Sequence, residues 1–239
     1  MTGASGAEDD LRRNLERVTA RLEAAARRAD RDPSGVVLIA VTKTVPAEMV
    51  RAAVLAGLAH LGENRVQEAA TKIPELGMLP AAVTWHLVGH LQSNKAAKAA
   101  DLFTWIHSVE SLELARKLDR CASERGKALN VLLQVDLGHE PTKHGVDAGL
   151  LDELAAEVAC LTHLRLRGLM TIPPLFEDPE PSRPFFLQLR ALRDDLAARG
   201  RDLPELSMGM SNDFEVVVEE GATMVRVGRA LFGERPQMR

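Results

Sequence analysis

The chain has 239 residues, enough for one substantial core, and barrels of about 250 residues are the largest common single-domain solution near that size. Apolar residues make up 46% and charged residues 27%, which sets aside disordered and fibrous classes. A formal charge of -4 gives no field to gather nucleic acid or an anionic membrane surface, so a small-molecule partner is expected.

The opening residues lack the apolar core of a signal peptide, and no run approaches a membrane span, so a cytoplasmic protein with one domain over 1–239 is expected. Leu11, Leu15, Val18, Leu22 and Ala25 recur at alternating steps of four and three. They predict a covering helix that ends near Arg31, Asp32 and Pro33. Val36 to Val41 is a continuous apolar run suited to a strand buried on both faces. Helices are then predicted at about 46–58, 64–76, 94–101, 110–126, 147–161, 182–200 and 212–220. Apolar runs at about 58–61, 83–88, 102–107, 129–135, 164–170, 205–208 and 223–227 predict the strands between them. Eight strands alternating with helices require parallel pairing through crossovers. The expected fold is α/β, a (β/α)8 TIM-type barrel with an extra N-terminal helix, and an open doubly wound sheet is the alternative. Pro173 to Ser182 reads as a long loop after the sixth of these strands. Cys121 and Cys160 have no neighbouring metal-ligand pattern and read as core thiols.

Parallel barrels build their sites where strands end, so polar residues that follow apolar runs are the candidates. Lys43 closes the first run, where a partly desolvated amine could attack an aldehyde; an ordinary lysine leaving for solvent is the alternative. Leu206 to Asp213 runs through Gly209 into Ser211 at a helix start, a seat for phosphate or a plain helix cap. Gly228 and Arg229 follow the last strand, where barrels often hold a second side of such a seat, while Arg226 lies within that apolar strand and, if buried, would require a partner. Asn64 and the stretch Trp85 to Lys95 share the rim. His86 and His90 are spaced for metal only on a helix, and this segment reads as strand then loop. His107 either lines the pocket or hydrogen-bonds in the core.

The segments AVTKT, LGENRVQE, WHLVGHLQSNK, HSVES, the step Lys143, His144, Gly145, then GLMTIPP, LSMGMSNDFE and RVGRALFG occur in this order almost end to end. Together they resemble the pyridoxal-phosphate homeostasis proteins, the YggS or PROSC type, whose fold is like the N-terminal barrel of alanine racemases. The resemblance implies pyridoxal 5'-phosphate as ligand, with Lys43 forming a Schiff base. It implies Ser211 with the Gly228 and Arg229 loop at the phosphate, Arg226 facing the pyridine nitrogen, and Asn64 and Met208 against the ring or its substituents. Three positions depart from the pattern: Thr42 stands for serine, Asp136 for asparagine, and Arg229 for a small hydroxyl residue.

Enzymes that use this cofactor to stabilise carbanions usually set an acid beside the pyridine nitrogen, whereas an arginine can only donate and favours a weaker electron sink. Racemases of related fold work with such an arginine but add a tyrosine from a second domain, and these 239 residues hold no tyrosine and no such domain. The expectation is a carrier in intracellular homeostasis of the cofactor, with apo-enzymes that need it as candidate recipients and no nucleic-acid, membrane or metal partner. The alternatives are a weak amino-acid racemase or other enzyme of this cofactor, or a barrel enzyme acting on a sugar phosphate.

Overall fold

A computed structural model describes residues 3–79, 81–138 and 144–233 of the chain. β1 (Val37–Val41) is apolar throughout, as a strand covered on both faces must be. It is joined in parallel by β2 (His60–Glu63), β3 (Thr84–Leu87) and β4 (Trp105–Val109) on one side. On the other side lie β9 (Met224–Val227), β8 (Glu205–Ser207), β7 (Leu164–Met170) and β5 (Leu129–Asp136). Pairing of Ile106 with Val131 joins β4 to β5, and among the described residues eight parallel strands close the barrel.

The connecting helices are α2 (Ala47–Leu55), α3 (Val66–Leu76), α4 (Ala96–Leu102), α5 (Leu112–Ser123), α6 (Leu151–Ala159), α7 (Arg183–Ala198) and α8 (Phe214–Glu219). A short α9 (Arg229–Phe232) follows the last strand. α1 (Gly3–Arg28) is the expected covering helix: Leu11, Val18, Leu22, Ala25 and Ala26 are buried, and it packs on α8 and α9. No helix among the described residues is long and apolar enough to cross a membrane.

Strand alternation splits the apolar residues into two bodies. Most fill the layer between strands and helices, while Ile39, Leu132, Met170 and Met224 form a separate cluster inside the barrel. Arg226 shares the inward parity of Met224 on β9, Ser207 is in register with Met170 and Met224, and His86 and His107 connect to Ser207 by hydrogen bonds; all four are buried.

Some elements differ from the sequence expectation. β2 and β4 begin later than the predicted 58 and 102, because Leu58 and Phe103 are core residues that plug the helix layer before the strand begins. β6 (Val146–Asp147) was not expected; it lies outside the barrel and pairs with the end of β5. It displaces the start of α6, expected near 147, to Leu151. Cys121 is buried as expected, but Cys160 is exposed, since it caps α6 as the chain leaves the helix layer.

Candidate functional site

Lys43 is half-buried two residues beyond the end of β1, and its turn is held from both sides. Before it, the Thr42 hydroxyl donates to Glu63 Oε1 at 2.7 Å, and the Lys72 ammonium donates to the Thr42 carbonyl at 2.6 Å. After it, Thr44 sits at φ 58°, a strained conformation for a β-branched residue, with its N–H donating to Glu68 Oε1. Lys72 also lies 2.8 Å from Glu63 Oε1 and 2.8 Å from Glu68 Oε1, so one ammonium ties β2, α3 and the Lys43 turn together. Burial raises the Glu63 carboxyl pKa even against Lys72 and Thr42, and its second oxygen is buried with no hydrogen-bond partner among the described residues. The segment LGENRVQE thereby acquires a local reason: Glu63 and Glu68 are the braces of the lysine turn.

Lys43 opens on a cavity of about 390 Å³, within the usual range for small-molecule sites. Asn64, Ser211, Arg226, Gly228 and Arg229 line the same cavity. The structure therefore brings six of the seven expected site residues together. Met208 is placed elsewhere: one residue beyond β8, it is fully buried in the outer core, away from inward-facing Ser207. Lys143 lies outside the described residues.

The floor near β8 and β9 is polar. Ser211 Oγ accepts the N–H groups of Gly228 at 3.3 Å and Ala230 at 3.1 Å, which draws backbone donors and a hydroxyl to one spot. The turn leading there needs glycine: Gly209 has φ 83°, and a Cβ on it would lie 2.4 Å from a Val217 methyl. Asp213 Oδ1 accepts from Met210 N at 2.6 Å and pins the other end of the turn, while burial raises its pKa. Across the opening, Ile172, Pro174 and Phe176 supply an apolar wall. The loop from Pro173 to Ser182 was expected after the sixth predicted strand, without Pro174 and Phe176 being assigned to the site. Asn212 Nδ2 fastens it by donating to the carbonyls of Phe176 and Glu177, both at 3.1 Å.

Arg226 has the partner its burial demands. It donates to Ser207 Oγ at 2.7 Å and to the Thr171 carbonyl at 3.0 Å. Burial brings its pKa down to about 10, opposed by the charge of Asp213, so it remains a cation at neutral pH. Arg229 reaches the cavity from an exposed position.

The histidines divide between interior and rim. His107 is in the core, with Nδ1 2.8 Å from Ser207 Oγ, and His86 also points into the barrel. His90 instead meets His144 and Glu110 on the rim, with ligand atoms all within 4.8 Å of one another. The His90 and His144 rings are stacked at 3.6 Å and 11°. Nitrogen lone pairs lie in the ring plane, so stacked rings aim them side by side and not at one ion.

Residues 13–236 match the family described as alanine racemase, N-terminal domain. The pyridoxal phosphate homeostasis protein of Pseudomonas aeruginosa is 46% identical over 222 residues, covering 93% of this chain and 94% of that one. The homologue from Aquifex aeolicus with the same name is 44% identical, covering 92% and 96%. Among solved structures, PipY of Synechococcus elongatus PCC7942, with PLP bound, is 46% identical with a TM-score of 0.79, covering 89% of this chain and all of that one. Alanine racemase of Clostridium difficile, 18% identical with a TM-score of 0.75, shares the fold over 96% of this chain and 58% of its own. With family match, relatives and barrel in agreement, the chain belongs to the pyridoxal phosphate homeostasis protein family, built on the alanine racemase N-terminal fold.

Proposed function

We propose that this chain binds pyridoxal 5'-phosphate in the cavity beside Lys43, holds it as a reversible Schiff base, and acts as a carrier in cofactor homeostasis without turning over amino acids. One observation carries the reading: Lys43, Ser211 with the Gly228 backbone that meets its hydroxyl, and the buried Arg226 cation line one cavity. An amine, an anion seat and a fixed donor suit, in turn, the aldehyde, the phosphate and the ring nitrogen. The covalent step needs no further reactant, since condensation of amine with aldehyde releases water and hydrolysis restores both. Asn64 and Arg229 border the ligand, and Met208 backs the strand that presents Ser207.

The charged groups support carriage over catalysis. Arg226 can only donate, so it leaves the ring a weak electron sink. Proton transfer at an amino-acid α-carbon would need a second group facing Lys43. The sequence holds no tyrosine, His86 and His107 are engaged inside the barrel, and Asp213 Oδ1 is engaged by Met210 N. Apo-enzymes of the same compartment are the proposed recipients.

The test is exchange of the α-hydrogen of alanine or serine in deuterium oxide with loaded protein. Exchange at the rate of free cofactor is expected; a rate well above it sinks the carrier reading in favour of a weak racemase.

A further inference from the structure

A continuous polar line crosses the apolar barrel beneath the cavity. His60 Nδ1 lies 3.0 Å from His86 Nε2, and His86 Nδ1 lies 2.9 Å from His107 Nε2. His107 Nδ1 lies 2.8 Å from Ser207 Oγ, which accepts from Arg226 at 2.7 Å. His86, His107 and Ser207 are fully buried, and Trp105 stacks on His86 at 5.7 Å. His60 is half-buried at the start of β2, at the opposite end of the barrel from Lys43, and opens on a surface hollow beside Leu15 and Thr19 of α1.

The chemistry of one end sets the direction of the whole line. A guanidinium has no acceptor, so Ser207 Oγ must accept from Arg226, and its one proton goes to His107 Nδ1. His107 then carries its proton on Nε2 and donates to His86 Nδ1. His86 donates in turn from Nε2 to His60 Nδ1, leaving the Nε2 proton of His60 for solvent. Burial is consistent with this neutral state: it holds His107 well below the ordinary histidine range and His86 down to about 3. Every link donates the same way, an arrangement in which hydrogen bonds polarise one another.

We propose that His107 is a positioning residue for Arg226, the link through which the His60, His86 and Ser207 line fixes the guanidinium so that its remaining N–H groups face the cavity. The role rests on the reading above, in which Arg226 meets the ring nitrogen of the bound cofactor. Asp213 is the other charged group whose field reaches Arg226, and its Oδ1 is engaged by Met210. Thr171 contributes only a backbone carbonyl, so Ser207 is the side chain through which Arg226 is oriented.

Two measurements separate the line from its consequence. In cofactor-free protein labelled with nitrogen-15, long-range proton–nitrogen correlation at pH 7 is expected to show His60, His86 and His107 as Nε2–H tautomers. A charged His107, or one protonated on Nδ1, overturns the line itself. In protein loaded with cofactor labelled at the ring nitrogen, that nitrogen is expected to stay unprotonated in the wild type. His107→Phe should raise its protonation pKa by about one unit, the scale of a lost charge-assisted hydrogen bond. His107→Gln, which can accept from Ser207 and donate onward, should restore the wild-type behaviour, and Ser207→Ala should copy His107→Phe. Folded Phe and Ala variants with an unshifted ring nitrogen overturn the positioning role. A protonated ring nitrogen in the wild type overturns the reading of Arg226 and this role with it, while the tautomers measured without cofactor identify that failure as distinct.

Discussion

The Lys72 ammonium lies 2.6 Å from the carbonyl oxygen of Thr42, the residue immediately before Lys43. That contact connects α3 to the turn presenting the amine, and Glu63 and Glu68 share the same ammonium. Lys72→Met removes the ammonium paired with a fully buried carboxylate, that of Glu63. A loss of about 3 kcal/mol is expected, because an unpaired buried charge costs more than the pair contributes. Urea denaturation measures it, and the double variant with Glu63→Gln should recover much of the loss. Equal losses in single and double variants would refute the brace.

Ser211 offers a cleaner separation of binding contacts. Ser211→Ala removes a hydroxyl that joins the Gly228 and Ala230 N–H groups at the polar end of the cavity. Affinity for pyridoxal 5'-phosphate should fall about tenfold or more, as for one hydrogen bond to a charged group. Affinity for pyridoxal, which lacks the phosphate, should hardly change. Fluorescence or calorimetric titration of both ligands decides it; equal losses for the two would place the phosphate elsewhere.

The buried histidines predict acid sensitivity above the carboxylate range. Their folded pKa values are depressed, so below about pH 6.5 the unfolded chain binds protons that folded His86 and His107 refuse. The unfolded state then holds more protons, and stability rises with pH across that window. Acidification from pH 7 to 5 should cost about 2 kcal/mol or more. Glu63 and Asp213 act oppositely, since their raised pKa values favour the folded state as they protonate. Urea midpoints measured over this range check the sign. A midpoint that does not move, or one that rises toward pH 5, contradicts neutral histidines in the barrel.

Much of this architecture was legible in the sequence because its signals are local. An apolar run such as Val36 to Val41 needs no partner to be read as a buried strand, and the N-terminal helix shows its stripe in Leu11, Val18 and Leu22. Strand starts were less legible where a core residue precedes the strand, as at Leu58 and Phe103. β6 was hidden because two residues carry no periodicity. Within the site, Lys43, Ser211 and Gly228 could be placed because strand ends converge in a barrel, but the braces Glu68 and Lys72 read only as one face of a helix. The line through His60, His86 and His107 depends on neighbouring strands and register, which no single segment displays. Its one trace was a histidine at an inward position in three successive strands. Met208 shows the converse: a motif can include a residue whose side chain points to the opposite face.

The proposed covalent bond between Lys43 and the cofactor is open to direct chemical trapping. Protein loaded with pyridoxal 5'-phosphate, reduced with borohydride and digested, should yield one modified peptide with the pyridoxyl group on Lys43, and Lys43→Ala should yield none there. Loaded wild-type protein with Lys43 unmodified, or with the label on another lysine, would contradict covalent binding at Lys43.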